Sequence, residues 1–326
     1  MCSHFRLHLF TSCQSLIKMT IYFNFRLLLF SAGILCCSYS IMAQSTHPVI
    51  AFASDTQAPL FIEKIIRKTN HNEKATELIF KDVIFIHPSC LFILGDVVSL
   101  GYSDAKWKNM DTYLKWCADD SIPVYAVLGN HEVMFHADKG KGKFQFRFPM
   151  HSATGYSEVI DSVAVILLNS NFSEMKDTEI IKQDKWYKNT LQKMDSDPAI
   201  KFIIVGCHHS PYSNSKVVGP SLPVQQQFVP GFIHSKKCVL FLSGHSHNFE
   251  RFKIQGKYFL VIGGGGGPHQ PLYKKELTPD LSHDYKPMFH YLEVKRYRDS
   301  LQITSRKLKS DFSGFDDGLK FSVISH

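Results

Sequence analysis

Seven short apolar, β-rich runs, each stopping on small or polar residues, constrain this chain more than any other feature. They are VIAFAS from Val49, CLFILGD from Cys90, PVYAVLGN from Pro123, VAVILLNS from Val163, KFIIVGC from Lys201, CVLFLSG from Cys238 and YFLVIGG from Tyr258. Uninterrupted apolar strands, as opposed to alternating ones, call for a sheet covered on both faces. The intervening NEKATELIFKDVI, DAKWKNMDTYLKWCADD and EIIKQDKWYKNTLQKM carry apolar residues at helical spacing and supply that cover. The fold class is therefore α/β. From His290 to Ile324 the pattern changes to alternation, in YLEVKRY and LQITSRKL, which predicts antiparallel strands added to the same domain.

The first 44 residues read as a signal peptide outside that fold. Arg26 precedes LLLFSAGILCC, an apolar stretch of signal length, and SIMAQ places the small Ala43 before a cut. Met19 is a second candidate start, because Met1 to Lys18 add nothing a signal needs. Export to the periplasm or the cell exterior is the expectation. The run is too short for a stable membrane span, and Cys36 and Cys37 lack the small preceding residues of a lipidated cysteine. Residues 45–326 then form a single domain, long enough to bury a sizeable core.

Charge narrows the partners. Of the formal net charge of +8, Arg6, Lys18 and Arg26 lie in the leader, which has no acidic residue, leaving the body at +5. That balance suits a small anionic substrate, and no Lys/Arg run is dense enough to form a nucleic-acid-binding surface. Nothing in the sequence sets the oligomeric state. Of the cysteines in the body, Cys90, Cys207 and Cys238 lie in or beside apolar runs, and with Cys117 they form no C-x-x-C pair; buried thiols and disulfides both remain open.

The chemistry stands at the strand ends. Asp55 follows the first run, Gly95-Asp96 the second, Gly129-Asn130-His131-Glu132 the third, His208-His209 a later one and Gly244-His245-Ser246-His247 the next. Strand carboxyl ends in an open α/β sheet share one edge, where ligands bind. Taken alone, an aspartate after a strand is most often a cap or turn residue. Five such clusters in order are not explained that way. Two metal ions about 3.5–4 Å apart need a bridging carboxylate and activate water, and carboxylate, amide oxygen and imidazole are the donors suited to Mn, Fe or Zn.

In this order SDTQ, GD, GNHE, HHSPY and GHSHNFER resemble the calcineurin-like metallophosphoesterases, with FRFPM, GYSEVIDSVAVILLNSN and KQDKWYKNTLQKM closest to the purple acid phosphatase branch. The resemblance implies a four-layer α/β/β/α sandwich of two mixed sheets flanked by helices. It implies two divalent or trivalent metal ions, with Asp96 bridging, Asp55 and His247 on the first, and Asn130, His209 and His245 on the second. His209 is preferred over His208 because the family's ligand stands two residues before a proline, here Pro211; His208 is the second choice and, with Asn130 and His131, a substrate contact. His131 becomes the proton donor or the stabiliser of phosphoryl charge. The implied reaction is hydrolysis of a small phosphate mono- or diester by a metal-bridging hydroxide. The alternative is a binding or sensing protein that has kept the fold and lost turnover.

Two positions depart from the family. Asp55-Thr56-Gln57 replaces the usual Asp-x-His, and Ser99 stands where purple enzymes carry their tyrosine ligand, so no purple colour is expected. The Gln57 carbonyl is a neutral oxygen donor, which favours Mn or Fe over the softer Zn, although Zn remains possible. Glu132 and Arg251 are assigned structural roles. Gly263 to Gly267 are read as a tight crossing beside the metal ligands in preference to a phosphate cradle. His87, His136, His151, His269 and His290 receive no metal role; His151 is the best candidate among them for a pocket wall.

Overall fold

The structure, a computed structural model, describes residues 48–67 and 70–324, so the leader and its cut after Ala43 lie outside the described residues. Along the chain the elements are β1 (Val49–Ala53), α1 (Phe61–Ile66), α2 (Asn72–Ile86), β2 (Cys90–Ile93), α3 (Asp104–Asp119), β3 (Val124–Ala126), α4 (Asn130–Val133), α5 (Ala137–Arg147), β4 (Tyr156–Ile160), β5 (Val163–Leu168), α6 (Asp177–Ser196), β6 (Phe202–Cys207), α7 (Leu222–Gln227), α8 (Val229–His234), β7 (Cys238–Ser243), β8 (Phe249–Ile254), β9 (Lys257–Ile262), β10 (His290–Arg296), β11 (Ser300–Leu308) and β12 (Phe315–Ile324). They build two six-stranded sheets, in the orders β12-β11-β10-β1-β2-β3 and β4-β5-β6-β7-β9-β8. β1, β2 and β3 run parallel, as do β5, β6, β7 and β9, while the alternating tail pairs antiparallel onto β1 through β10.

Side-chain alternation along each strand separates the core into layers. Ile50 and Phe52 of β1 face Val165 and Leu167 of β5, Ile204 of β6 and Leu240 and Leu242 of β7, across the space between the sheets. Their neighbours Ala51 and Ala53 point outward with Leu91 and Ile93 onto Ile79, Phe80 and Val83 of α2 and Trp107 of α3. On the other side Ile203, Val205 and Phe241 pack against Tyr187 and Leu191 of α6 and Phe232 of α8. Each sheet is thus buried on both faces, which explains the uninterrupted apolar runs. The result is the four-layer α/β/β/α sandwich of two mixed sheets.

Cys90, Cys117, Cys207 and Cys238 are all buried free thiols. Burial pushes Cys90, Cys117 and Cys238 up to about 12, so they are uncharged core residues. Among the described residues no helix is long and apolar enough to cross a membrane.

Glu132 joins the ends of β2 and β3. Its fully buried carboxylate accepts hydrogen bonds from the main-chain N–H groups of Asp96 (2.9 Å), Val98 (3.0 Å) and Gly129 (2.8 Å). Glycine is required opposite it, since a Cβ on Gly129 would lie 2.1 Å from Asp96 Oδ1. Replacing Glu132 by alanine leaves three buried donors unpaired at about 1–3 kcal/mol each, so Glu132→Ala should cost about 3 kcal/mol or more. Urea unfolding of the metal-free protein measures this; a loss below about 1 kcal/mol would mean that water replaces the carboxylate.

Candidate metal centre

Side chains placed just beyond the ends of β1, β2, β3, β6 and β7 converge on one place, and the contributing strands belong to both sheets, not to one. Three of these residues stand in the left-handed backbone region, Asp55 at φ 58, Asp96 at φ 50 and His245 at φ 65. Aspartate and histidine tolerate that region better than most side chains, and here it turns the carboxylates and the imidazole back into the crevice. The turns are tied to one another: Asp55 N–H donates to Gly95 O (3.1 Å), Gln57 N–H to Asp96 O (3.1 Å), and His131 N–H to Asp96 Oδ1 (2.9 Å). The His245 N–H donates to the Asp55 carboxylate (3.0 Å).

Asp96 is central. Its Oδ2 lies 3.3 Å from His208 Nε2 and 3.8 Å from His131 Nε2. Asp55, Asp96 and His208 form one group of mutually close donor atoms, and His208, His209 and His245 a second. His247 Nε2 stands 3.4 Å from Asp55 Oδ1, and its Nδ1 is fixed by the Pro268 carbonyl at 2.8 Å. Likewise His131 Nδ1 is bonded to the Ser99 carbonyl (2.8 Å) and His208 Nδ1 to the Leu94 carbonyl (2.9 Å), so both rings turn Nε2 inward. Asn130 Oδ1 is 3.1 Å from His208 Nε2.

His208, and not the preferred His209, is the imidazole that faces Asp96. Alternation along β6 gives the reason: Phe202 and Ile204 point between the sheets while Ile203, Val205 and Cys207 point toward the helices, so His208 continues the inward set. His209 follows with its Nδ1 on Ser170 Oγ at 2.9 Å and its ring centroid 4.5 Å from that of His245, so it stays in the second donor group. The proline count had no access to that parity. Ser170 was not anticipated either, and no motif marks it.

Gln57 is fully buried inside the same crevice. The hydrogen-bond network assigns its amide: the nitrogen donates to the main-chain carbonyls of Asp55 (3.0 Å) and Asp96 (2.8 Å), and the oxygen lies 3.3 Å from His247 Nε2. The oxygen is therefore the atom turned toward the candidate ligands.

The charge balance tests whether this donor set fits metal ions. Asp55 and Asp96 are buried with at most 1% exposure, and among the described residues neither pairs with a lysine or arginine. Buried carboxylates are costly without a compensating cation. Burial alone would push the Asp96 carboxyl up, but the charges of His208 and His131 overcome it and hold the pKa well below the usual range. Burial opposes a proton on His208, yet Asp96 raises its pKa to about 9. Burial and the neighbouring His208 lower His209 to about 3, and burial and His209 lower His245 well below its ordinary value, leaving both as neutral donors. Two carboxylates, neutral imidazoles and inward amide oxygens fit metal ions.

Other expectations resolve around this centre. The amides of Gly265 and Gly267 are taken by the carbonyls of Ser54 and Asp55, and a Cβ on Gly263 would meet Ser246 O at 2.1 Å, so the glycine run is a close crossing. His151 is not a pocket wall: it is buried between Phe144 and Tyr156, and burial lowers its pKa to about 4. Arg251 donates to Leu281 O and covers the Phe321 ring, a structural role. Ser99 is buried and offers its carbonyl to His131.

Residues 48–249 match the family described as calcineurin-like phosphoesterase, and the chain belongs to that family. A search of curated protein sequences finds no match. Among solved structures, the purple acid phosphatase PPD1 from yellow lupin (Lupinus luteus) seeds is similar at 16% identity and TM-score 0.64, over 85% of this chain and 53% of that one, so this chain spans about half the lupin protein's length. GAP50 of Plasmodium, described as the anchor in the inner membrane complex, is similar at 14% identity and TM-score 0.63 over 86% and 90% of the two chains. A dimetal phosphatase from Danio rerio is similar at 13% identity and TM-score 0.55 over 86% and 100%.

Because His208 carries a proton up to about pH 9 in the metal-free protein, a cation must displace it. Mn²⁺ affinity should therefore rise with pH and level off near pH 9, with about one proton released per protein below that point. Calorimetry in buffers of different ionisation enthalpy measures the release. Affinity that stays flat between about pH 6 and pH 9 would remove His208 from the ligand set.

Proposed function

We propose that this chain is an exported two-metal phosphoesterase that hydrolyses small phosphate mono- or diesters. The observation that carries the reading is the pair of buried carboxylates, Asp55 and Asp96, meeting inward-facing imidazoles, with no lysine or arginine paired to either among the described residues. Export is supported by Arg26, the apolar LLLFSAGILCC and the small Ala43.

The residues divide into roles. Asp96 would serve both metals; Asp55, Gln57 and His247 would hold one, and Asn130, His208 and His245 the other, with His209 beside them. Bound there, two metal ions supply Lewis acidity and lower the pKa of water. His131 keeps Nδ1 on Ser99 O and presents Nε2 toward Asp96. Burial works against its protonation, but the Asp96 charge and the Ser99 hydrogen bond raise its pKa, which favours the protonated form that a leaving alkoxide needs. A binding or sensing role on the same fold draws support from the Plasmodium neighbour, an anchor by description.

Turnover of p-nitrophenyl phosphate and bis-p-nitrophenyl phosphate with added Mn²⁺ separates the two readings. Metal-stripped protein should be inactive, and Asp96→Asn should abolish activity. His131→Ala should lower kcat by about 10²–10⁴-fold. Wild-type rates in Asp96→Asn would overturn the two-metal reading, and a fully metal-loaded but inert wild type would favour the binding role.

Gln57 further sets the metal, since an amide oxygen in place of imidazole favours the harder Mn or Fe. Gln57→His should shift reconstitution toward Zn, read by metal content after loading with equimolar Mn²⁺ and Zn²⁺. Wild-type protein that holds tight Zn and gains nothing from Mn²⁺ would refute the preference.

A further inference from the structure

A cleft of about 490 Å³ opens beside Asn130 and His209, and its remaining wall has no assigned role. Phe135, Phe172 and Met134 line it, Glu174 is its acidic residue, and neither lysine nor arginine lines it. Phe135 is 76% exposed and stands at φ 64. A phenylalanine in the left-handed region is an outlier that the surrounding structure has to hold in place, and here it projects an apolar ring into solvent at the crevice mouth. Phe172 is braced by Phe228, with ring centroids 5.4 Å apart. The exposed Glu174 carboxylate has no hydrogen-bond or ion-pair partner among the described residues; Lys141 Nζ binds the main-chain carbonyl of Glu174 instead, at 3.0 Å.

We propose that this cleft receives the alcohol half of a phosphate ester and selects one carrying a quaternary ammonium group, a choline-type phosphoester. The assignment rests on the phosphoesterase reading and names its substrate class. A quaternary ammonium donates no hydrogen bond and is held by aromatic faces and a nearby negative charge, which are what Phe135, Phe172 and Glu174 supply. A second phosphate on the substrate would meet the Glu174 carboxylate, while Lys141 is held on the Glu174 main-chain carbonyl and does not line the cleft, so polyphosphates are disfavoured. Asn130 and His209 line both the cleft and the metal centre, so a phosphoryl group at the metals directs its alcohol into the cleft.

Phosphocholine and its neutral carbon isostere, 3,3-dimethylbutyl phosphate, differ in charge and hardly in shape. On the Mn²⁺-loaded protein, kcat/KM for phosphocholine should exceed that for the isostere about tenfold. The ratio, not the absolute rate, should fall to about threefold or less in Glu174→Gln and in Phe135→Ala. As a second readout, choline alone should broaden its NMR methyl signal with wild type and not with Phe135→Ala. A ratio near one in the wild type, or one unchanged in Glu174→Gln, overturns the assignment. If p-nitrophenyl phosphate is cleaved while the ratio is near one, the cleft assignment falls alone. Should none of the three esters nor bis-p-nitrophenyl phosphate be cleaved, the phosphoesterase reading falls, and choline binding by NMR then decides whether the cleft selects a quaternary ammonium: broadening lost in Phe135→Ala sustains it and no broadening sinks it.

Discussion

Everything at the centre depends on keeping the Asp96 carboxylate charged inside the protein. It is 1% exposed, among the described residues no lysine or arginine pairs with it, and the groups that hold it are imidazoles and main-chain amides. Such a site is expensive to form and gains stability from any cation it admits. The rest of the architecture spreads that cost. Glu132 ties the Asp96, Val98 and Gly129 amides together, and the left-handed turns at Asp55, Asp96 and His245 are locked by hydrogen bonds between strand ends. The four layers of apolar side chains give those turns a rigid base.

The strand and helix pattern was legible because it follows from burial. Runs with no polar residue can be stable only when both faces are covered, and β1, β2, β5, β6, β7 and β9 all satisfy this, as does the alternating tail in β10 and β11. Two strands carry a weaker signal. β8, Phe249–Ile254, lies inside the segment that carries the last histidine motif, and β4, Tyr156–Ile160, mixes polar with apolar residues at the edge of its sheet. Division into two sheets could not be read from periodicity either, since each strand reports its own faces and not its partners.

Within the site, residue types and order were legible and side-chain direction was not. His208 and His209 are adjacent and chemically identical; only their parity just beyond β6 sends one toward Asp96 and the other toward Ser170. That parity could have been counted from Phe202 and Ile204 had the inner face of β6 been known. Contacts that come from carbonyls, such as Leu94 O on His208, Ser99 O on His131 and Pro268 O on His247, leave no trace in a sequence because every residue carries the same group. The choice of ring nitrogen that faces the crevice is therefore settled by backbone geometry.

Gln57 shows how the two levels meet. In sequence it is a departure, an amide where an imidazole is expected. In the structure its two N–H groups are held by the carbonyls of Asp55 and Asp96, the same residues whose carboxylates define the site, so the amide cannot turn and its oxygen is fixed beside His247. An imidazole has one N–H when neutral and could satisfy only one of those carbonyls while offering its other nitrogen inward. The glutamine thus adds a second tie between the turns after β1 and β2, at the expense of a softer donor, and metal choice and turn rigidity at this position become one property of a single side chain.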